Sequence, residues 1–290
     1  MRIAILILAH KNINQLKRLV SRLSEDFNIY IHIDKKSTLD VAQLEAYPNV
    51  KLIERQDVNW GSHHQIIATH KLFQAAYADG NDYFMLISGQ DIPIKSNQYI
   101  KDYIQKNANV SFVNHEALPK PAWAEQEGGY GRLHYYWGDD FKQNTFGLLL
   151  KKVFAVVRKT QIRLKMRRKL YPIKFYGGWN WINMNREAMA CVLDYVEKNP
   201  AFLEHFKYTR SGDEIWVQTI LANTPSINIM NDDLRLVKWV YGSEHPLYIT
   251  ADDKELISKS DALFARKVDE NVDGNIIDHI YEATRSERLA

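Results

Sequence analysis

Cysteine is almost missing from this chain: Cys191 is the only one in 290 residues. A single thiol excludes an internal disulfide and a cysteine-built metal site, and it fits a reducing compartment. Cys191 lies in the helical pattern "REAMACVLDYV" and reads as core. No apolar run reaches the roughly 18 residues that a membrane-spanning helix needs. The opening "MRIAILILAH" has one Arg and no small-residue cleavage site, so it reads as a buried strand and not as a signal peptide. Several ligand motifs are missing too. "GGYGRLHYYWG" lacks the third glycine of a dinucleotide fingerprint, and there is no P-loop and no H-E-x-x-H. Asp-x-Asp occurs nowhere. Acid is absent from Lys151 to Lys174, a stretch with ten Lys or Arg. Such a block points to an anionic partner.

What is present describes a folded α/β protein. Hydrophobic residues make up 46% of the chain, and the net charge is only +3. "IAILILAH", "NIYIHID", "NVKLI", "YFMLISG" and "NVSFVNH" read as strands. "INQLKRLVSRLS", "GSHHQIIATHKLFQAAYA" (with Ser62 as N-cap) and "SNQYIKDYIQKN" read as helices between them. This alternation predicts a mostly parallel central sheet with helices on both faces. Ligands of such sheets sit beyond the carboxyl ends of the strands, here Ala9-His10, His32-Asp34 and Ser88-Asp91. Residues 116–178 are aromatic, glycine-bearing and basic, and read as long loops. "NREAMACVLDYVEKN" and "DEIWVQTILAN" read as later helices. No repeat or linker interrupts the chain, which predicts one continuous domain over 1–290.

The segment "TRSGDEIWVQTILANT" carries two adjacent acids, Asp213 and Glu214, at the start of an amphipathic run. They either tune and cap a helix N-terminus or hold a carboxylate at a pocket rim.

Taken together, these segments resemble the core-2/I-branching β-1,6-N-acetylglucosaminyltransferase family, which also contains the peptide O-xylosyltransferases. "YFMLISGQDIPIKSN", "IYIHIDKKS", "GGWNWINMNREAMACVL" and "SGDEIWVQTIL" carry the resemblance. "LRLVKW", "HPLYIT" and "ALFARKVD" continue it in order, so that it spans about residues 3–282. It implies a GT-A-type, Rossmann-like fold and inverting, metal-independent transfer from a UDP-sugar. In those terms 1–115 is the nucleotide-sugar-binding half and 116–290 the acceptor-binding and catalytic half.

The resemblance also implies site residues. Glu214 matches the catalytic base, with Asp213 as its capping or orienting neighbour. Lys267 and Arg235 match a basic pair that takes the place of metal on the diphosphate, with Lys238 as the alternative to Arg235 and Arg266 able to share the role of Lys267. Asp34 and His10 are placed at the nucleotide, although Asp also favours turns. Asp91 either meets the donor sugar or holds its loop. Trp179 and Trp181 either stack on a sugar or fill core, with Gly177 and Gly178 permitting close approach. Glu127, Arg132, Tyr135 and Tyr136 are weaker acceptor contacts. No metal and no other cofactor is expected.

N-acetylglucosamine is the leading donor sugar and xylose its alternative. The acceptor is expected to be a glycan, free or lipid-linked, in surface polysaccharide or lipopolysaccharide synthesis. The lack of an anchor and of disulfides suits a bacterial-type, cytoplasmic enzyme, peripheral at the membrane's inner face if 151–174 binds there. That block reads equally as an amphipathic stretch on an anionic membrane, as solvated loop charges, or as a flap over donor phosphate. A noncatalytic nucleotide- or nucleic-acid-binding protein is the reading from another class, although a binder has no need of Glu214 and nucleic acid is not expected.

Overall fold

The computed structural model describes residues 1–142, 144–240 and 245–286. Its strands are β1 (Ile3–Ala9), β2 (Asn28–Ile33), β3 (Val50–Ile53), β4 (Tyr83–Ser88), β5 (Asp91–Pro93), β6 (Ser111–Val113), β7 (Glu116–Ala117), β8 (Tyr176–Gly177), β9 (Ile182–Asn185), β10 (Ile229–Met230), β11 (Arg235–Val237) and β12 (Phe264–Arg266). Its helices are α1 (Ile13–Leu23), α2 (His63–Ala78), α3 (Asn97–Lys106), α4 (Tyr130–His134), α5 (Thr145–Arg163), α6 (Arg186–Lys198), α7 (Pro200–His205), α8 (Trp216–Ala222), α9 (Lys254–Ser258) and α10 (Gly274–Ser286).

Seven strands of the described residues form the main sheet, in the order β10-β6-β9-β4-β1-β2-β3. The pairings β1–β2, β1–β4, β2–β3 and β10–β6 are parallel. Within this sheet β9 runs antiparallel to both β4 and β6. Side chains alternate between the two faces of each strand. Ala4, Leu6, Phe84 and Leu86 therefore meet one helical layer, built from Ile66 and Phe73 of α2, Val192 of α6 and Trp216 of α8. Ile3, Ile5, Ile7, Met85 and Ile87 meet the other, built from Leu16 and Leu19 of α1 and Ile100 and Ile104 of α3. This is the α/β architecture expected, a mostly parallel sheet with helices on both faces.

Two parts differ from the sequence reading. Residues 116–178 are not all loop: they hold α4, the nineteen-residue α5 and the β7–β8 ribbon. A second sheet, β11-β12-β5, stands apart from the first. In it β12 runs antiparallel to β5 and sets Arg266 opposite Asp91.

Candidate active site

A cavity of about 450 Å³ opens beyond the carboxyl ends of β1, β2 and β4, within the usual range for a small-molecule site. His10, Asp34 and Gly89 line it from those three strand ends, as the sheet topology predicts. Asp213 and Glu214, Trp179 and Trp181, and Arg266 and Lys267 complete it from three later segments.

Glu214 is held from several directions. Arg132 Nη1 donates to its Oε2 at 2.5 Å. The Arg132 guanidinium lies 3.8 Å from the centroid of the Trp123 ring, which braces it. Gly178 N donates to the Glu214 carbonyl at 2.9 Å. A Cβ on Gly178 would stand 1.8 Å from the Asn114 carbonyl oxygen, so only glycine lets this segment approach so closely. On the other side, Ser211 N donates to the Gly61 carbonyl at 2.8 Å, tying the loop to the start of α2.

Neither acid caps an α-helix. Gly212–Glu214 is a single turn of 3-10 helix, and α8 begins only at Trp216, with no side-chain cap among the described residues. Helix-dipole stabilisation of Glu214 therefore gives way to the Arg132 ion pair. Asp213 turns inward instead. Gln65 Nε2 donates to its Oδ2 at 2.7 Å, while its buried Oδ1 has no hydrogen-bond partner among the described residues. Burial, reinforced by the neighbouring Glu214 charge, pushes the Asp213 carboxyl up to about 7.

The basic residues divide. Lys267 lines the cavity, its ammonium 5.1 Å from the Tyr248 ring centroid, and forms no ion pair among the described residues. Arg266 also lines it, stacked 3.8 Å from the Trp181 ring centroid and 3.4 Å from Asp91 Oδ2. Arg235 does not reach the cavity. It is buried, and its Nη2 donates to the Leu86 carbonyl at 3.0 Å and its Nη1 to the Asp233 carbonyl at 3.1 Å. Its cationic group is consumed by backbone acceptors of the sheet. Lys238, the alternative to Arg235, pairs with Asp253 at 2.7 Å.

Asp34 both lines the cavity and holds its turn, accepting from Lys36 N at 3.0 Å. Asp91 is buried behind the cavity, where its Oδ2 accepts from Ser88 N at 2.5 Å and Ser88 Oγ at 2.6 Å. It holds the loop and does not line the cavity. Trp179 lies stacked on Trp239 at 5.2 Å, so one of its faces is already covered. Gly177 and Gly178 make room for the Trp123 ring and the Asn114 backbone, not for a ligand. Of the four weaker candidates, Arg132 alone reaches the site, through Glu214. Glu127 is engaged by Tyr135 Oη and by Arg167, while the Tyr136 ring packs on Phe154 and Tyr208.

The sequence reading missed Trp60, Trp239, His245 and Gln65 as cavity residues. His32, part of a strand end named in the sequence reading, lines the cavity from the last-but-one position of β2. Its Nε2 accepts from Gln56 N at 2.8 Å, and burial lowers its pKa to about 4, leaving it neutral. Trp60 precedes Gly61 with no periodic pattern to mark it.

A family model described as "Branch: Core-2/I-Branching enzyme" matches residues 3–259. The chain belongs to the Core-2/I-branching enzyme family. It is similar to a xylosyltransferase of Ciona intestinalis, 21% identical across 96% of this chain and 34% of that protein. It is also similar to xylosyltransferase 2 of Rattus norvegicus, 24% identical across 82% of this chain and 26% of that one. The chain thus spans about a third or less of the length of these curated relatives. Among solved structures, a mannose-1-phosphate geranyltransferase from Thermus thermophilus aligns with a TM-score of 0.34 and 10% identity, over 79% of this chain and 69% of that one. In this family member the matched region carries nearly all of the cavity: among its lining residues only Arg266 and Lys267 fall beyond residue 259.

Proposed function

We propose that this chain is a UDP-sugar-dependent glycosyltransferase that inverts the anomeric centre and works without a metal ion. The observation that carries the reading is the Glu214 carboxylate, held by Arg132 at 2.5 Å in the same cavity as Arg266 and Lys267. One Glu214 oxygen is taken by Arg132, and the other takes the acceptor hydroxyl's proton as that oxygen attacks the anomeric carbon. The bond from the anomeric carbon to the diphosphate breaks, and UDP leaves with its added charge facing Lys267 and Arg266. Asp34 and His10, at the strand ends, take the nucleoside. The exposed Trp60, which lines the cavity, is a candidate for stacking on sugar.

N-acetylglucosamine leads as the donor sugar because the family includes acetylglucosaminyltransferases. The xylosyltransferase names of the relatives support xylose as the competitor. The acceptor is a glycan of surface polysaccharide or lipopolysaccharide, free or lipid-linked, made on the cytoplasmic side. A panel of UDP-sugars, followed by thermal shift and slow hydrolysis in EDTA, tests this reading. One sugar nucleotide should raise the unfolding temperature and release UDP. No response to any UDP-sugar would sink it.

A further inference from the structure

α5 carries an apolar face that stands uncovered among the described residues. Phe146, Leu149, Val153 and Val156 recur at spacings of three, four and three residues and share one side of the helix. They are between 47% and 68% exposed. Leu164 and Met166, also exposed, follow the last turn. The opposite side of α5 is firmly docked. Phe154 stacks on Tyr208 at 5.5 Å and meets Phe141 edge-on at 4.9 Å. Gln161 Oε1 accepts from Tyr136 N at 3.0 Å. The uncovered face therefore belongs to a well-seated helix, and its exposure is not the result of loose attachment.

Charge says what covers it. Lys152, Lys159 and Arg163 run along the flank of the apolar row at spacings of seven and four, all exposed, and exposed Lys165 and Lys169 follow. No Asp or Glu occurs between Phe141 and Arg186. A nucleic acid or free anionic glycan would satisfy the cations and leave Phe146, Leu149, Val153 and Val156 in water. A second copy of the chain would bring the same cations against themselves. A surface with anionic groups above a hydrocarbon layer satisfies both sets.

We propose that α5 and residues 164–169 dock flat on an anionic phospholipid bilayer, with the apolar row sunk below the headgroups and the Lys and Arg side chains at the phosphates. The docked helix is tied to the cavity mouth. The Arg158 guanidinium lies 3.9 Å from the Trp137 ring centroid, and Arg210 lies 5.0 Å from the same ring and 5.6 Å from that of Trp60. Trp60 is 60% exposed and lines the cavity. Docking thus ties the cavity mouth to the bilayer surface. This deepens the transfer reading above, on which one consequence rests: the acceptor is then one carried by a lipid, which cannot leave the membrane.

Co-sedimentation with vesicles tests the docking. The full chain should pellet with vesicles of mixed phosphatidylglycerol and phosphatidylcholine, remain in solution with phosphatidylcholine alone, and release as salt rises. Joint replacement of Lys152, Lys159 and Arg163 by Gln should weaken partitioning by about 100-fold. Leu149→Ser with Val156→Ser should weaken it by a similar, about 100-fold, factor through the lost apolar burial. Both variants change exposed side chains and should keep the parent unfolding temperature and UDP release. Protein left in the supernatant with anionic vesicles at low salt overturns the proposal. So does binding that neither variant changes, a dimer through α5 without vesicle binding, or an RNA complex without vesicle binding. Docking by protein that turns over no UDP-sugar upholds the membrane surface and tells against the transfer reading alone.

Discussion

Arg132 and Glu214 lie 82 residues apart in sequence and meet at 2.5 Å, with the arginine pressed against the Trp123 ring. The pair fixes the carboxylate's position at the cavity. It also links the segment after the β7 strand to the loop before α8, two regions that no described sheet pairing joins.

Glu214→Gln should leave UDP affinity nearly unchanged and lower turnover by about 10²-fold or more, the usual cost of removing a general base. The amide can still accept from Arg132, so the fold should hold. Steady-state kinetics beside calorimetric UDP binding make the comparison. Near-normal turnover would remove Glu214 from the mechanism.

Arg132 acts on Glu214 as a positioning residue. Arg132→Met should lower kcat by about 10- to 100-fold, the equivalent of one lost charge-assisted hydrogen bond of about 1.5–3 kcal/mol. Arg132→Lys should recover only part of this, because an ammonium keeps the charge but not the planar fork or the stacking on Trp123. UDP affinity should not move in either variant. A loss of UDP binding equal to the loss of kcat would instead put Arg132 at the nucleotide.

Lys267 and Arg235 should separate in their behaviour. Lys267→Ala should weaken UDP binding by about tenfold or more while leaving uridine binding alone, since only the diphosphate loses a charged partner. Arg235→Ala should instead lower the unfolding temperature. It strands the buried Leu86 carbonyl, at about 1–3 kcal/mol for an unpaired group, while the Asp233 carbonyl keeps its bond from Asn183 Nδ2. Activity of the parent should persist in EDTA; an absolute demand for Mn²⁺ would contradict the metal-independent reading.

Asp213 makes stability depend on pH. Its folded-state pKa of about 7 lies above the ordinary carboxyl value, so the folded chain holds a proton that the unfolded chain has released. Stability from this group is greatest in acid and falls as pH rises from about 4 through 7. The Asp213 contribution to the urea-unfolding free energy should fall by about 2–3 kcal/mol between pH 5 and pH 8, against the opposite contribution of His32 and the other histidines that burial keeps neutral. Asp213→Asn keeps an acceptor for Gln65 and should flatten that difference. An unchanged slope in the variant would mean that Asp213 is ionised in the fold.

Local pattern was enough for β1, β2, β3, β4 and β6 of the main sheet and for the helices between them, while β9 and β10 went unread. The apolar strands and the periodic stretches that became α1, α2, α3 and α6 are written in contiguous residues, because side chains alternate or recur with the period of the element. A parallel α/β sheet then placed the cavity at His10 and Asp34 without any knowledge of the side-chain contacts. For the basic block the amphipathic reading put Leu148, Leu149, Val153, Val156 and Val157 on one side of a helix, beside the loop reading of the same stretch. Whether another part of the chain covers that side is not a local property.

What the amino-acid sequence determined by itself was thus the α/β fold, the strand ends that form the cavity, and the acid pair at Asp213 and Glu214. Tertiary structure alone decided what each charged side chain does there. Arg235 and Arg266 are indistinguishable as residues. One is buried against sheet carbonyls, and the other is set at the cavity by the antiparallel register of β12 on β5. Asp213 and Glu214 are neighbours in the chain, yet one turns into the core against Gln65 and the other out to Arg132. The energy of a charge depends on how much water its site excludes and which partner stands within a few ångströms, and both are set by segments far away in sequence.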